Sequence, residues 1–225
     1  CDSLNKNISI AQGVQSYPIQ VLTCNSCCHS ELLVKPPEDL IYADYTYRSS
    51  SSPGLSEHFK SYANHLMALY AKNFGTPTTF LDIGGNDGLL ASSISECGAH
   101  ATVIDPSPTA NDTPSSINLI NSYFSDDVAD KLASSGVKFD IISCNNCLAN
   151  IRDLHSFARN VSTLLSDHGI ISIETGYLPA QATSKAIEMI NHEHYHYFSL
   201  NSLITLFSCY GIQYLSHEFH DNKGG

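Results

Sequence analysis

The run Thr79-Phe80-Leu81-Asp82-Ile83-Gly84-Gly85-Asn86-Asp87-Gly88-Leu89-Leu90 constrains this chain more than any other stretch. An apolar segment ending in an acid predicts a buried strand. The glycine cluster predicts a tight turn, and Leu89 to Ile94 opens a helix. Glycines let a backbone turn sharply and lie close to a ligand, and a helix N-terminus presents unpaired N–H groups. The expectation is a strand–loop–helix cofactor site.

Further on, strand patterns at Thr79–Ile83, Ala101–Ile104, Asn118–Ile120, Phe139–Ser143 and Gly169–Glu174 alternate with helical patterns at Leu89–Cys97, Ser125–Ser134 and Asp153–Leu165. This alternation predicts an α/β domain with a parallel sheet and helices on both faces. In such sheets the ligand lies beyond the carboxyl ends of the strands, and Asp105 ends the second one. A carboxylate there suits the two hydroxyls of a cofactor ribose. Ahead of the sheet, Phe59, Tyr62, Ala63, Leu66, Leu69 and Tyr70 follow helical spacing over Leu55–Asn73, and Gly75 and Pro77 close that helix.

A dinucleotide loop writes G-x-G-x-x-G, which Gly84-Gly85-Asn86-Asp87-Gly88 does not match. Asp82 and Asp87 would also repel a pyrophosphate. A cofactor carrying an amino group and a sulfonium tolerates acids, so S-adenosylmethionine (SAM) is preferred to NAD. The expected SAM contacts are Asp82, Gly84, Gly85, Asn86, Asp87, Gly88 and Asp105, with Asn145 at the amino acid portion. A formal charge of −11 argues against a nucleic-acid surface, which needs clustered Lys and Arg. No run approaches the roughly 18 apolar residues of a membrane span. The eight cysteines of an α/β chain point to metal binding or burial rather than disulfides, and to a cytoplasmic protein, a monomer or weak oligomer.

Cys24-Asn25-Ser26-Cys27 is a CxxC pair followed by Cys28 and His29. Two thiolates at that spacing can share a Zn²⁺. A further ligand is sought in Cys1, read as the end of an interrupted first pair, or in His29; the alternative is that these thiols bind nothing. Ile19–Leu22 and Leu32–Val34 predict the strands of a zinc-ribbon-like hairpin, and Pro36-Pro37 marks its edge. The aromatic segment from Ile41 to Arg48 either packs two modules together or binds a ligand. Cys144 and Cys147 are read as packing residues.

With these segments in hand, the chain resembles the C-methyltransferases of nucleotide-linked deoxysugars. The resemblance rests on Tyr17-Pro18-Ile19 leading to Cys24–Cys27, on Tyr45-Thr46-Tyr47-Arg48-Ser49-Ser50, on Asp82 to Gly88 and on Asp105-Pro106-Ser107. Asn145-Asn146-Cys147-Leu148-Ala149-Asn150 and His192-Glu193-His194-Tyr195-His196-Tyr197-Phe198-Ser199-Leu200 complete it, and Gly224-Gly225 resembles the glycine pair before that family's last domain. It implies a Rossmann-like class I SAM-methyltransferase domain behind a small N-terminal zinc-binding module. The boundaries expected are a partial zinc module over 1–40, a linker and leading helix over 41–78, the SAM domain over 79–215, and the start of a missing C-terminal domain over 216–225.

The implied reaction methylates a carbon beside a ketone in a nucleotide-linked sugar, through an enolate. His194 is the implied general base, since an imidazole titrates near neutrality. Glu193 would orient it or bind a sugar hydroxyl, and Tyr45 or Tyr47 would face the enolate or the sulfonium. Cys1, Cys24 and Cys27 are the implied zinc ligands. Two positions depart from the family pattern: Asn150 stands where His is usual, and Asn191 where Tyr is usual.

Overall fold

A computed structural model describes residues 15–42 and 45–219. Strands β1 (Val21–Thr23) and β2 (Ser30–Leu32) form a hairpin, followed by a short helix α1 (Asp39–Tyr42) and the long helix α2 (Leu55–Phe74). The alternating part then runs β3 (Thr79–Ile83), α3 (Leu89–Glu96), β4 (His100–Ile104), β5 (Asn118–Ile120), α4 (Asp126–Ser134), β6 (Phe139–Asn145), α5 (Leu154–Leu164) and β7 (Leu165–Glu174). Helix α6 (Leu178–Ser184), strand β8 (His196–Tyr197) and helix α7 (Leu200–Ser208) follow.

Five strands form one parallel sheet in the order β5-β4-β3-β6-β7. Successive side chains of a strand point to opposite faces, so a strand covered on both faces must be apolar throughout. Phe80, Val103 and Ile141 meet Ala63, Leu66, Leu90 and Ile94 of α2 and α3 on one face. Leu81, Ile83, Ile142 and Cys144 meet Phe157, Val161 and Leu164 of α5 on the other. Helix α2 buries Phe59, Ala63, Leu66 and Tyr70, one stripe at helical spacing. Side-chain caps set the later helix starts: Asp153 accepts the N–H groups of His155 and Ser156, both at 3.0 Å, and Ser199 forms a capping box with Ser202.

The expected strands and helices of the parallel-sheet part are all present, whereas the hairpin strands are displaced: Val21–Thr23 in place of Ile19–Leu22, and Ser30–Leu32 in place of Leu32–Val34, because pairing to β1 and β8 fixes the second strand ahead of the apolar run. The fifth strand begins at Leu165, ahead of the predicted Gly169, and its register against β6 shifts between Phe139 and Ile141.

A second sheet joins distant parts of the chain. β2 pairs antiparallel with β1 on one side and with β8 on the other, opposing Glu31 to His196 and Ser30 to Tyr197. Leu32, Tyr195 and Tyr197 are buried together beneath it. Tyr195 fixes this unit to the parallel sheet: its N–H donates to the Ala149 carbonyl at 2.7 Å and its hydroxyl to the Pro36 carbonyl at 2.9 Å. Residues 211–219 carry no regular element, and Gly224-Gly225 lies outside the described residues. No helix among the described residues is long and apolar enough to cross a membrane.

Candidate functional site

Strand order reverses between β3 and β6, and a cavity of about 590 Å³ opens at the carboxyl ends of the strands on this side of the molecule. Gly84 (φ 74°), Asn86 (φ 51°) and Gly88 (φ 75°) all lie in the left-handed region, which is how the chain leaves β3 and enters α3 within so few residues. Gly84 is required twice over, because a Cβ there would also collide with the Cys147 thiol.

Asn86 holds the loop in place from several directions. Its N–H donates to Asp105 Oδ2 at 2.9 Å, and its side-chain oxygen accepts the Ser49 N–H at 3.0 Å. Its Nδ2 donates to the Tyr47 carbonyl and to Thr109 Oγ1, both at 3.0 Å. Asp87 Oδ2 accepts the Ser50 N–H at 3.0 Å, so the aromatic segment and the glycine loop are bound to each other by two neighbouring pairs. Asp82 lies beneath the loop, buried, with Ser143 donating to it at 2.5 Å. Burial pushes its carboxyl up to about 7, with Ser143 opposing that rise and the Asp105 charge adding to it.

Of the residues expected at a cofactor, Gly84, Asn86, Asp105 and Asn145 line the cavity. Asp82, Gly85, Asp87 and Gly88 do not line it and instead shape the turn behind it. Asp105 is already engaged: Oδ2 takes the Asn86 N–H, and Oδ1 takes the Ser107 N–H at 2.8 Å and its hydroxyl at 2.5 Å. Its remaining lone pairs are those of an oriented carboxylate at the cavity wall. Asn145 accepts from Tyr62 at 3.2 Å through Oδ1, and its buried Nδ2 has no partner. Asn150 Oδ1 is likewise buried without one. Buried polar groups are seldom left so, and this cavity contains an unspent donor and an unspent acceptor.

Tyr45 and Tyr47 line the same cavity, as does Tyr42. Burial pushes the Tyr45 hydroxyl up to about 12, helped by the nearby Glu193 charge, which keeps it a hydrogen-bond donor. The Tyr47 hydroxyl is 2.8 Å from Ser52 Oγ. Glu193 and His194, expected to act on the substrate, are not among the lining residues; Glu193 is tied to the cavity wall through the Tyr42 hydroxyl, which donates to its carbonyl at 3.3 Å. His194 Nδ1 lies 3.0 Å from the Met189 carbonyl. A carbonyl only accepts, so the proton belongs on Nδ1 and the lone pair on Nε2. Asn191 takes a local role, its side-chain oxygen accepting the Glu193 N–H at 3.0 Å.

Sequence reasoning did not single out Ser107, Tyr123, Phe124 or Arg152 as cavity residues. The first three follow strand ends, which was the available signal. Cys147, read as packing, forms cavity wall against Gly84.

In the hairpin, Cys24 and Cys27 lie on one turn. The N–H groups of Cys27 and Ser26 reach the Cys24 sulfur and lower its pKa, favouring thiolate. Cys28 (φ 58°) turns the chain back, and its N–H donates to the Cys24 carbonyl at 2.9 Å. Cys1 lies outside the described residues. The His29 ring is turned to His196, 3.0 Å away, and not grouped with the thiols.

A parallel sheet in this order, with a glycine loop after its first strand and an acid after its second, is the Rossmann-like fold of class I SAM methyltransferases. Residues 55–217 match the family described as Methyltransferase domain, and the chain belongs to it. It is 27% identical over 221 residues to the C-methyltransferase NovU of Streptomyces niveus, covering 96% of this chain and 51% of that protein. The chain thus spans about half the length of the curated relative it matches. Among solved structures, a SAM-dependent methyltransferase from Archaeoglobus fulgidus superposes with a TM-score of 0.55 at 17% identity, covering 69% of this chain and 68% of that one. The plantazolicin methyltransferase BpumL, solved with SAH, gives 0.53 at 20% identity, covering 71% and 70%. These two likenesses show the fold.

Proposed function

We propose that this chain binds SAM and belongs to a C-methyltransferase that acts on a carbon beside a ketone in a nucleotide-linked deoxysugar. The observation that carries the reading is the cavity at the switch point, where an oriented Asp105 and the unpartnered Asn145 Nδ2 stand on either side of Gly84. The likeness to NovU supports carbon as the acceptor.

The residues present fit SAM. Asp105 would hold the ribose, Gly84 and Asn86 would let the backbone lie close, and Asn145 Nδ2 would donate to the amino acid portion. When bound, SAM supplies an electrophilic methyl group. His194 Nε2, its proton-free nitrogen, would take the proton of the carbon beside the ketone, leaving the C–H electron pair as an enolate. Tyr45, kept protonated, would donate to the enolate oxygen. Glu193 would hold a sugar hydroxyl at the tyrosine cluster. The chemistry SAM would supply is the methyl group, with its sulfur as the leaving group, for the carbon that His194 would have deprotonated. The protein's part is positioning and deprotonation.

Cys24 and Cys27 suit zinc, being soft sulfur donors on one turn, with Cys1 as a further ligand in an N-terminal module over 1–40.

A second reading rests on Asn150, whose buried side-chain oxygen has no partner where the related pattern has histidine. A carboxamide cannot relay a proton, so the protein would bind cofactor and sugar without completing the reaction, or would act on a different small molecule. Isothermal titration with SAM tests the cofactor claim: saturable binding is expected, and no heat would overturn it. Deuterium exchange at the ketone-adjacent carbon of a nucleotide-linked keto-sugar separates the two readings, because a working base exchanges that proton before any methyl transfer.

A further inference from the structure

His29, Glu31 and His196 converge away from the cofactor cavity, on the sheet that joins the hairpin to the 192–200 block. None of them lines the cavity. Glu31 and His196 are direct cross-strand partners, so their side chains project from the same face. His29 precedes Glu31 by two positions along the same strand direction and falls on that face as well. The backbone therefore sets three donors side by side before any side chain adjusts.

The donor atoms are spaced for a cation. His29 Nε2 is 3.0 Å from His196 Nδ1, which is 3.6 Å from Glu31 Oε2. All three lie within 4.8 Å of one another. Tetrahedral zinc with bonds of about 2.0–2.1 Å separates its ligand atoms by about 3.3 Å, between the two measured distances. The far side of the His196 ring also suits ligation. Its Nε2 faces the Arg152 carbonyl at 3.4 Å, and a proton donated there leaves the Nδ1 lone pair directed at His29. Phe198 backs both rings, with centroids 5.6 Å and 6.2 Å away.

We propose that His29, Glu31 and His196 form a divalent transition-metal site of the zinc class, separate from the Cys24–Cys27 turn, that clamps β2 to β8. A His₂Glu set with one further position for water is chemically complete for such an ion. The resident competitor is Lys35, whose ammonium is 2.6 Å from Glu31 Oε2 and 3.5 Å from His196 Nε2. It must swing aside, which its flexible stem permits. The metal would fix His196, two residues after His194, and so hold the 192–200 block against the hairpin.

The test is Co²⁺ titration of the 225-residue chain carrying Cys24→Ser and Cys27→Ser, after chelator treatment. Expected is a single bound Co²⁺ with visible d–d absorption and no sulfur charge-transfer band. His29→Gln and Glu31→Gln, both at partly exposed positions, should each weaken it at least about tenfold while circular dichroism stays unchanged. Lys35→Gln should strengthen it several-fold by removing the competing charge. No Co²⁺ bound by the chain carrying Cys24→Ser and Cys27→Ser would overturn the proposal. So would binding unchanged by His29→Gln and Glu31→Gln. SAM titration of the same samples keeps this result distinct from the cofactor reading.

Discussion

Asp105 Oδ2 accepts the backbone N–H of Asn86 at 2.9 Å, so the end of β4 holds the turn that leaves β3. The acid is therefore two things at once. It orients the glycine loop, and it offers what is left of its lone pairs to the cavity.

Asp105→Ala should weaken SAM binding by at least about tenfold, since hydrogen bonds to a charged group contribute about 1.5–3 kcal/mol. It should also lower stability, because the Asn86 and Ser107 N–H groups lose their acceptor. Asp105→Asn keeps one carbonyl oxygen and should fall between. Calorimetric titration beside denaturant unfolding separates the two effects.

Asp82 makes stability depend on pH in an unusual direction. Its folded value of about 7 lies above that of an unfolded carboxyl, so the folded state binds the extra proton. The contribution is fully present below about pH 4 and is lost as pH rises through 7. Asp82→Asn, which preserves an acceptor for Ser143, should remove this slope and stabilise the fold at about pH 8 by a few kcal/mol at most. Urea unfolding at about pH 5 and about pH 8 measures it; an unchanged slope would mean Asp82 is not its source.

Gly84→Ala introduces both left-handed strain and a clash with Cys147. The strain costs about 1–2 kcal/mol and the overpacking about 1–3 kcal/mol more. Adding Cys147→Gly, which removes both the Sγ and the Cβ that crowd the new methyl group, should restore the second part and leave the first. A double-mutant cycle by thermal or urea unfolding reads the coupling between the two positions.

His194→Asn should reduce carbon deprotonation by about 10²–10⁴-fold and leave SAM affinity unaltered. Tyr45→Phe should slow the same step while keeping the apolar wall of the cavity. Solvent deuterium exchange into the sugar is the measurement, and wild-type exchange in the His194 variant would remove the residue from the mechanism.

The parallel sheet was legible because its signals are local. Thr79–Ile83 and Asn118–Ile120 are short apolar runs bounded by turn residues, and they fall where periodicity placed them. The early start of β7 was hidden by Ser166-Asp167-His168, which reads as polar loop yet extends a strand against Phe139. The glycine loop told of a cofactor but not which of its residues face it. Asp82 and Asp87 point into the protein's own hydrogen bonds, and no spacing rule distinguishes them from Asp105. Least visible was the pairing of Glu31 with His196, because no local pattern records a partner so far along the chain.

That pairing also imposes an order on biosynthesis. Ser30 and Glu31 emerge early from the ribosome, but their strand partners come only after the whole parallel sheet has been made. Closing so long a loop is slow compared with forming local helices and turns. The segment carrying Glu193 and His194 therefore docks after the parallel sheet has been built. The glycine loop and Asp105 can thus be in place before Tyr195 and His196 tie the 192–200 block to the hairpin and to Ala149.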